Sequence, residues 1–148
     1  MEYGNRGNKS YANTNIPIWK KSASYTLTSA EHQLYVQCYT QYDLMTICDF
    51  NGNLKCNIYG PKWVNEKTQT QHYSLGVEFC GDKILALYSG GDHRTDAYYP
   101  TKFLVFDLNG NYLKTLETGY MITDFCYDKE NNRLIINLND EIQFAIWI

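Results

Sequence analysis

Apolar and polar positions in this chain fall into short runs separated by Gly, Asn, Asp and Pro, a pattern of strands and turns. Candidate strands lie at Ser24–Thr28, Gln33–Tyr39, Leu44–Phe50 and Leu54–Tyr59. A second group lies at Tyr73–Phe79, Lys83–Tyr88, Lys102–Leu108 and Tyr112–Leu116, and a third at Met121–Tyr127, Arg133–Asn137 and Ile142–Ile148. Two textures separate them. Ile84–Tyr88, Phe103–Phe106 and Leu134–Ile136 are nearly continuous apolar runs, which predicts strands covered on both faces. Leu54-Lys55-Cys56-Asn57-Ile58 alternates cleanly, as an outermost, wetter strand does. Long helix-period stretches are missing, and no apolar run approaches the length of a membrane span.

Asp49-Phe50-Asn51-Gly52-Asn53 recurs 58 residues later as Asp107-Leu108-Asn109-Gly110-Asn111. Asn-Gly between apolar runs predicts a hairpin closed by a two-residue type I′ turn, with positive φ at both positions. The next Lys comes one residue later in the second copy than in the first (Lys114 against Lys55), which predicts a bulge or register shift in that outer strand. A second echo relates Glu78-Phe79-Cys80 to Asp124-Phe125-Cys126, 46 residues on. It places Glu78 and Asp124 at equivalent points of innermost strands, with Thr28 at the matching point of the first unit.

Units of this length with four antiparallel strands have the size of propeller blades. The expected fold is therefore all-β: a partial β-propeller of about two and a half blades of a six-bladed ring. The blades fall at about 16–60, 72–119 and 120–148, and 1–15 is a polar N-terminal segment or the remnant of a preceding blade. The third unit stops after its third strand and leaves Ile142–Ile148 as an apolar edge. Met1–Asn15 is too polar and Gly-rich to complete it. The expectation is the C-terminal half of a larger propeller, completed by a missing N-terminal half, or a homodimer closing a six-blade ring.

Composition adds mainly exclusions. Lys and Arg number 13 against 16 Asp and Glu, giving −3. No basic face stands out, so no nucleic-acid partner is expected. Tyr is abundant, at 14 residues, in keeping with strands and half-wet surfaces. The five cysteines rule out complete internal pairing by their odd number. They form no C-x-x-C and sit in apolar runs, as small buried hydrophobes do. Met1–Asn15 has no apolar signal core, so the sequence on its own reads as cytoplasmic.

The run Asn57-Ile58-Tyr59-Gly60-Pro61-Lys62-Trp63, the passage from Ile84–Leu87 into Tyr88-Ser89-Gly90-Gly91, Phe103 through Asn111, and Phe125-Cys126-Tyr127-Asp128 resemble the TolB-like six-bladed β-propellers of gut Bacteroidetes. The similarity runs from about Leu34 to Phe144, over what would be the C-terminal half of a member. It implies the fold and, for a longer precursor, a cell-envelope location. It implies no catalytic residues, because the family has no agreed set.

Strand alternation supplies the one functional inference. Second-to-third connections and blade-to-blade connections emerge at one end of the units, and the Asn-Gly hairpins at the other. Both long loops, Pro61–Gln71 and Gly90–Thr101, fall at the first end, where rigid scaffolds usually carry binding residues. The second holds Asp92, His93, Arg94, Asp96, Tyr98 and Tyr99, a set suited to an anionic or sugar-like ligand with Arg94 forking onto a carboxylate or phosphate. Lys62 and Trp63 are the candidates in the first. Local pairing of the loop charges, and a Trp63 packed inward, are the competing structural outcomes. Glu78 and Asp124 form the weaker candidate, a Ca²⁺ site of the propeller-lactonase kind. His32, His72 and His93 lack metal-ligand spacing, and no nucleophile motif is present. The leading expectation is a non-enzymatic binding or scaffold module for a protein or small-molecule ligand. The alternatives are a Ca²⁺-dependent hydrolase and a truncated product with no role of its own.

Overall fold

The computed structural model describes residues 8–10 and 24–147. Twelve strands are present among them: β1 (Asn8–Ser10), β2 (Ser24–Ser29), β3 (Leu34–Tyr39), β4 (Leu44–Asp49), β5 (Leu54–Tyr59), β6 (Thr70–Cys80), β7 (Lys83–Asp92), β8 (Lys102–Asp107), β9 (Tyr112–Glu117), β10 (Ile122–Asp128), β11 (Arg133–Leu138) and β12 (Phe144–Trp147). They form three antiparallel sheets, ordered β1-β5-β4-β3-β2, β6-β7-β8-β9 and β10-β11-β12. The chain is thus all-β and built of repeated meanders. Asn8–Ser10, inside the segment set apart by sequence as polar, is the fifth strand at the outer edge of the first sheet, against β5. No helix among the described residues is long and apolar enough to cross a membrane.

The sheets stack face on face. Val36, Met45, Ile47 and Ile58 of the first sheet meet Ile84, Ala86, Leu104 and Phe106 of the second. The opposite face of the second sheet, with Leu85, Leu87, Phe103 and Val105, meets Phe125, Leu134, Ile136 and Leu138 of the third. The second sheet is therefore buried on both faces, which is why β7 and β8 read as continuous apolar runs. Its first strand, β6, packs against β2 and β3 on one side and β10 on the other.

The repeated turns are not type I′. Gly52 (φ 83°) and Gly110 (φ 81°) are left-handed, but Asn51 and Asn109 are not. Gly52 N donates to Asp49 O at 3.1 Å and Asp49 N to Asn53 O at 2.9 Å; Gly110 N to Asp107 O and Asp107 N to Asn111 O match them at 3.1 and 2.9 Å. This is a three-residue loop, a type I turn closed by a left-handed glycine. The leading aspartate selects it. Asp49 Oδ1 accepts from Asn51 N and Asn53 N, both at 2.9 Å, while Oδ2 accepts from Asn53 Nδ2 at 3.0 Å. Asp107 makes the same three bonds with Asn109 and Asn111, each at 2.9 Å. The register shows the expected bulge in the second outer strand, and an equal one in the first. Ile47 pairs with Cys56 and Cys48 with Leu54; Val105 pairs with Lys114 and Phe106 with Tyr112. Both outer strands carry the same bulge, at Lys55 and at Leu113, so the second copy has no extra residue.

Bonds to Asn53 and Asn51 hold the Asp49 carboxyl below its usual value. A depressed carboxylate stabilises the fold above its unfolded pKa of about 4 and loses that contribution as pH falls through the folded value. Asp49→Ala is expected to lower Tm at pH 7 and to leave Tm less sensitive to pH below about 4, as measured by thermal melts across pH.

Candidate functional site

Each sheet runs up and down, so the connections fall at two ends. The Asn-Gly turns share one end with the first hairpin of each sheet. Residues 40–43, 60–69, 93–101, 118–121 and 139–143 share the other. Both long loops lie at that second end, but shorter than the sequence suggests. β6 begins at Thr70 and β7 continues to Asp92, with Thr70 opposite Asp92 and Gln71 opposite Gly91. Gly90, Gly91 and Asp92 are therefore strand residues. Glycine is required at 91 because a Cβ there would overlap the Ala97 carbonyl.

Loop 93–101 is held by its own polar groups. Arg94 forks onto Asp92, Nε to Oδ1 at 3.0 Å and Nη2 to Oδ2 at 2.6 Å, and Arg94 N donates to Oδ1 at 2.9 Å. The pair is exposed. Thr95 Oγ1 donates to Asp92 O and accepts from Ala97 N, capping a short 3-10 turn at Asp96–Tyr98. Ser89 Oγ donates to Ala97 O at 2.9 Å and accepts from Gly91 N. His93 N donates to Gln69 O, and His93 Nδ1 lies 2.9 Å from the same oxygen. The Tyr98 and Tyr99 rings lie 4.4 Å apart at 33°. The Tyr99 hydroxyl beside it, with some burial, raises the Tyr98 phenol.

Bonds from the Arg94 side chain and backbone hold Asp92 well below the usual carboxylate range. Arg94→Ala is expected to return the Asp92 carboxyl toward about 4, as followed by its NMR pH titration.

The other loop is anchored differently. The Trp63 ring packs 4.8 Å from Tyr59 and 5.8 Å from Tyr42, in an apolar cluster with Tyr39 and Leu44. Lys62 Nζ donates to Gly90 O at 3.0 Å, which ties this loop to the end of β7. Lys62 N donates to Asp43 Oδ2 at 3.0 Å, and Gly60 N to Asp43 O at 2.8 Å. A Cβ on Gly60 would overlap the Asp43 carboxylate.

Asp43, between β3 and β4, is fully buried, and so is His72 on β6. His72 N donates to Thr40 O at 2.7 Å; its Nδ1 lies 3.2 Å from the Tyr88 hydroxyl and its Nε2 3.4 Å from Thr68 Oγ1. Sequence reasoning passed over both. Asp43 reads as an ordinary turn residue and His72 as a histidine without metal spacing. No spacing rule signals that the neighbouring loops fold over them.

Glu78 and Asp124 come within electrostatic reach of each other. Burial, then the charge on Asp124, raises the Glu78 carboxyl, while Asp124 Oδ1 accepts from Phe125 N at 2.8 Å. Their positions are not equivalent. Glu78 lies opposite Leu85, Cys126 opposite Ile135 and Leu27 opposite Val36. These are matching rungs, because Leu85, Ile135 and Val36 match. Asp124 sits two rungs nearer the β10 bulge, and Thr28 on the other face of β2. Among the described residues, no three His, Cys, Asp or Glu side chains gather to hold a metal. Glu78→Gln is expected to raise Tm at pH 7, because it removes a half-buried charge facing a like charge. The gain should vanish below about pH 4, where Glu78 itself is neutral.

No family model and no curated protein matches the chain.

Proposed function

We propose that the three sheets are consecutive blades of a β-propeller of the six-bladed, TolB-like kind. The chain then acts as a non-enzymatic scaffold whose long-loop end binds a ligand or protein partner. Two features support the blade reading. β6 packs against β2 and β10, edge strands of the two neighbouring sheets. The first hairpins of all three also meet: His32 Nε2 lies 2.8 Å from Gly81 O, and Lys129 Nζ pairs with Glu31 Oε2 at 3.2 Å. A cell-envelope location, as part of a longer precursor, belongs to the same proposal.

The observation that carries the binding reading is the ordering of loop 93–101. The Asp92–Arg94 fork and the Thr95 cap fix its course, so a partner meets Asp96, Tyr98 and Tyr99 in a preset arrangement, which lowers the entropic cost of binding. The test compares capture by the immobilised chain and by a triple variant, Asp96→Ala, Tyr98→Ala and Tyr99→Ala, with partners quantified by mass spectrometry. Loss of the captured set at unchanged Tm supports the reading; an unchanged set overturns it. The Ca²⁺ reading rests on Glu78 and Asp124 and predicts a rise in Tm with millimolar calcium that Glu78→Gln abolishes.

A further inference from the structure

The third sheet turns Ile135, Phe144, Ile146 and Cys126 to one face, alongside Asn137 and Asp124. Phe144 and Ile146 are 63% and 57% exposed. Ile146 lies across from Ile135, which lies across from Cys126, also exposed. Rung for rung, Ile135, Ile146 and Phe144 stand where Leu85, Val105 and Phe103 stand in the second sheet and where Val36, Ile47 and Met45 stand in the first. All six counterparts are buried by the sheet that follows. Among the described residues, the same face is thus covered twice and left open the third time.

We propose that this face docks a further antiparallel β-sheet of the same unit, one offering the apolar surface that Leu134, Ile136 and Leu138 offer to the second sheet. The occupant continues an interface already built twice. A second copy joined head to tail does not supply it. The corresponding face of the first sheet does not match: Tyr39, Leu44 and Asn57 on it are already buried, and Gln37 Nε2 donates to Ser24 Oγ at 2.9 Å and Thr46 Oγ1 to Asn57 Oδ1 at 2.7 Å. The inference rests on the blade reading only for the direction in which the array continues.

Cys126 is the built-in probe. Cys38 and Cys56 are buried, burial and Glu78 push the Cys80 thiol up to about 12, and burial raises Cys48. Trp147 occupies the rung of Phe106, so repeating residues 107–148 directly after Trp147 continues the register into a fourth strand and a next sheet. In that extended chain, with Cys126→Ser in the appended unit, the original Cys126 is expected to react with Ellman's reagent at least about tenfold more slowly. Ile146→Lys in the first unit should restore the rate. An unchanged rate, or an extended chain that fails to fold where the native chain folds, overturns the proposal. The native chain, followed by light scattering, is expected to keep one Cys126 rate at all protein concentrations. Protection that grows with concentration would make a second copy the occupant and also overturn it. These rates do not depend on the loops, so a failed capture experiment leaves them readable.

Discussion

Phe103→Ala is expected to cost about 3–5 kcal/mol of stability, as measured by urea unfolding. Phe103 is wholly buried between the second and third sheets. Its ring meets Phe125 edge-on at 4.8 Å and 72°, and Trp147 at 6.4 Å and 74°. Truncation removes the ring from the contact and leaves a cavity that two stiff sheets cannot close. A domain is stable by only about 5–15 kcal/mol, so this one change consumes a large share. Phe50, 53% exposed on a turn, is the control: Phe50→Ala should stay within about 0.5 kcal/mol. If Phe103→Ala cost no more than Phe50→Ala, the second and third sheets would not be packed through this ring.

The strands were legible because burial on two faces leaves a chemical imprint. Ile84–Tyr88 could only be apolar throughout if sheets lay on both sides, and they do. The turns were legible in place but not in type. Asn-Gly alone favours type I′, whereas Asp49 and Asp107, two residues earlier, each accept three bonds available only in the longer loop. Lysine spacing does not reveal that the bulge is shared, because Lys114 occupies the rung of Cys56 rather than of Lys55. At the loop end, residue types were readable but commitments were not. Gly90-Gly91 read as loop, yet the strand runs on because Ser89 Oγ bridges Gly91 N and the Ala97 carbonyl. Arg94 read as a hand for a ligand, and its fork holds Asp92. Which partner a side chain takes is decided by tertiary placement, which spacing does not encode.

The two Asn-Gly turns allow conformation and contact to be separated at one residue type. Gly52 and Gly110 have nearly the same φ, 83° and 81°, and the same hydrogen bonds around them. Their surroundings differ. A Cβ at Gly52 meets nothing within 4 Å, whereas at Gly110 it comes 2.8 Å from Cys56 Sγ and 3.0 Å from Ile58 Cδ1. The second turn lies on the first sheet, where Cys56 Sγ donates to Asn109 O at 3.8 Å; the first turn lies free. Gly52→Ala therefore carries the left-handed penalty alone, about 1–2 kcal/mol. Gly110→Ala adds overpacking of about 1–3 kcal/mol, and it should also loosen the first sheet from the second. The checks are denaturant midpoints of both variants and hydrogen exchange at β5. Equal losses in the two would mean that the second turn does not rest on the first sheet. A larger loss at Gly110, with faster exchange at Cys56 and Ile58, is the outcome the packing requires.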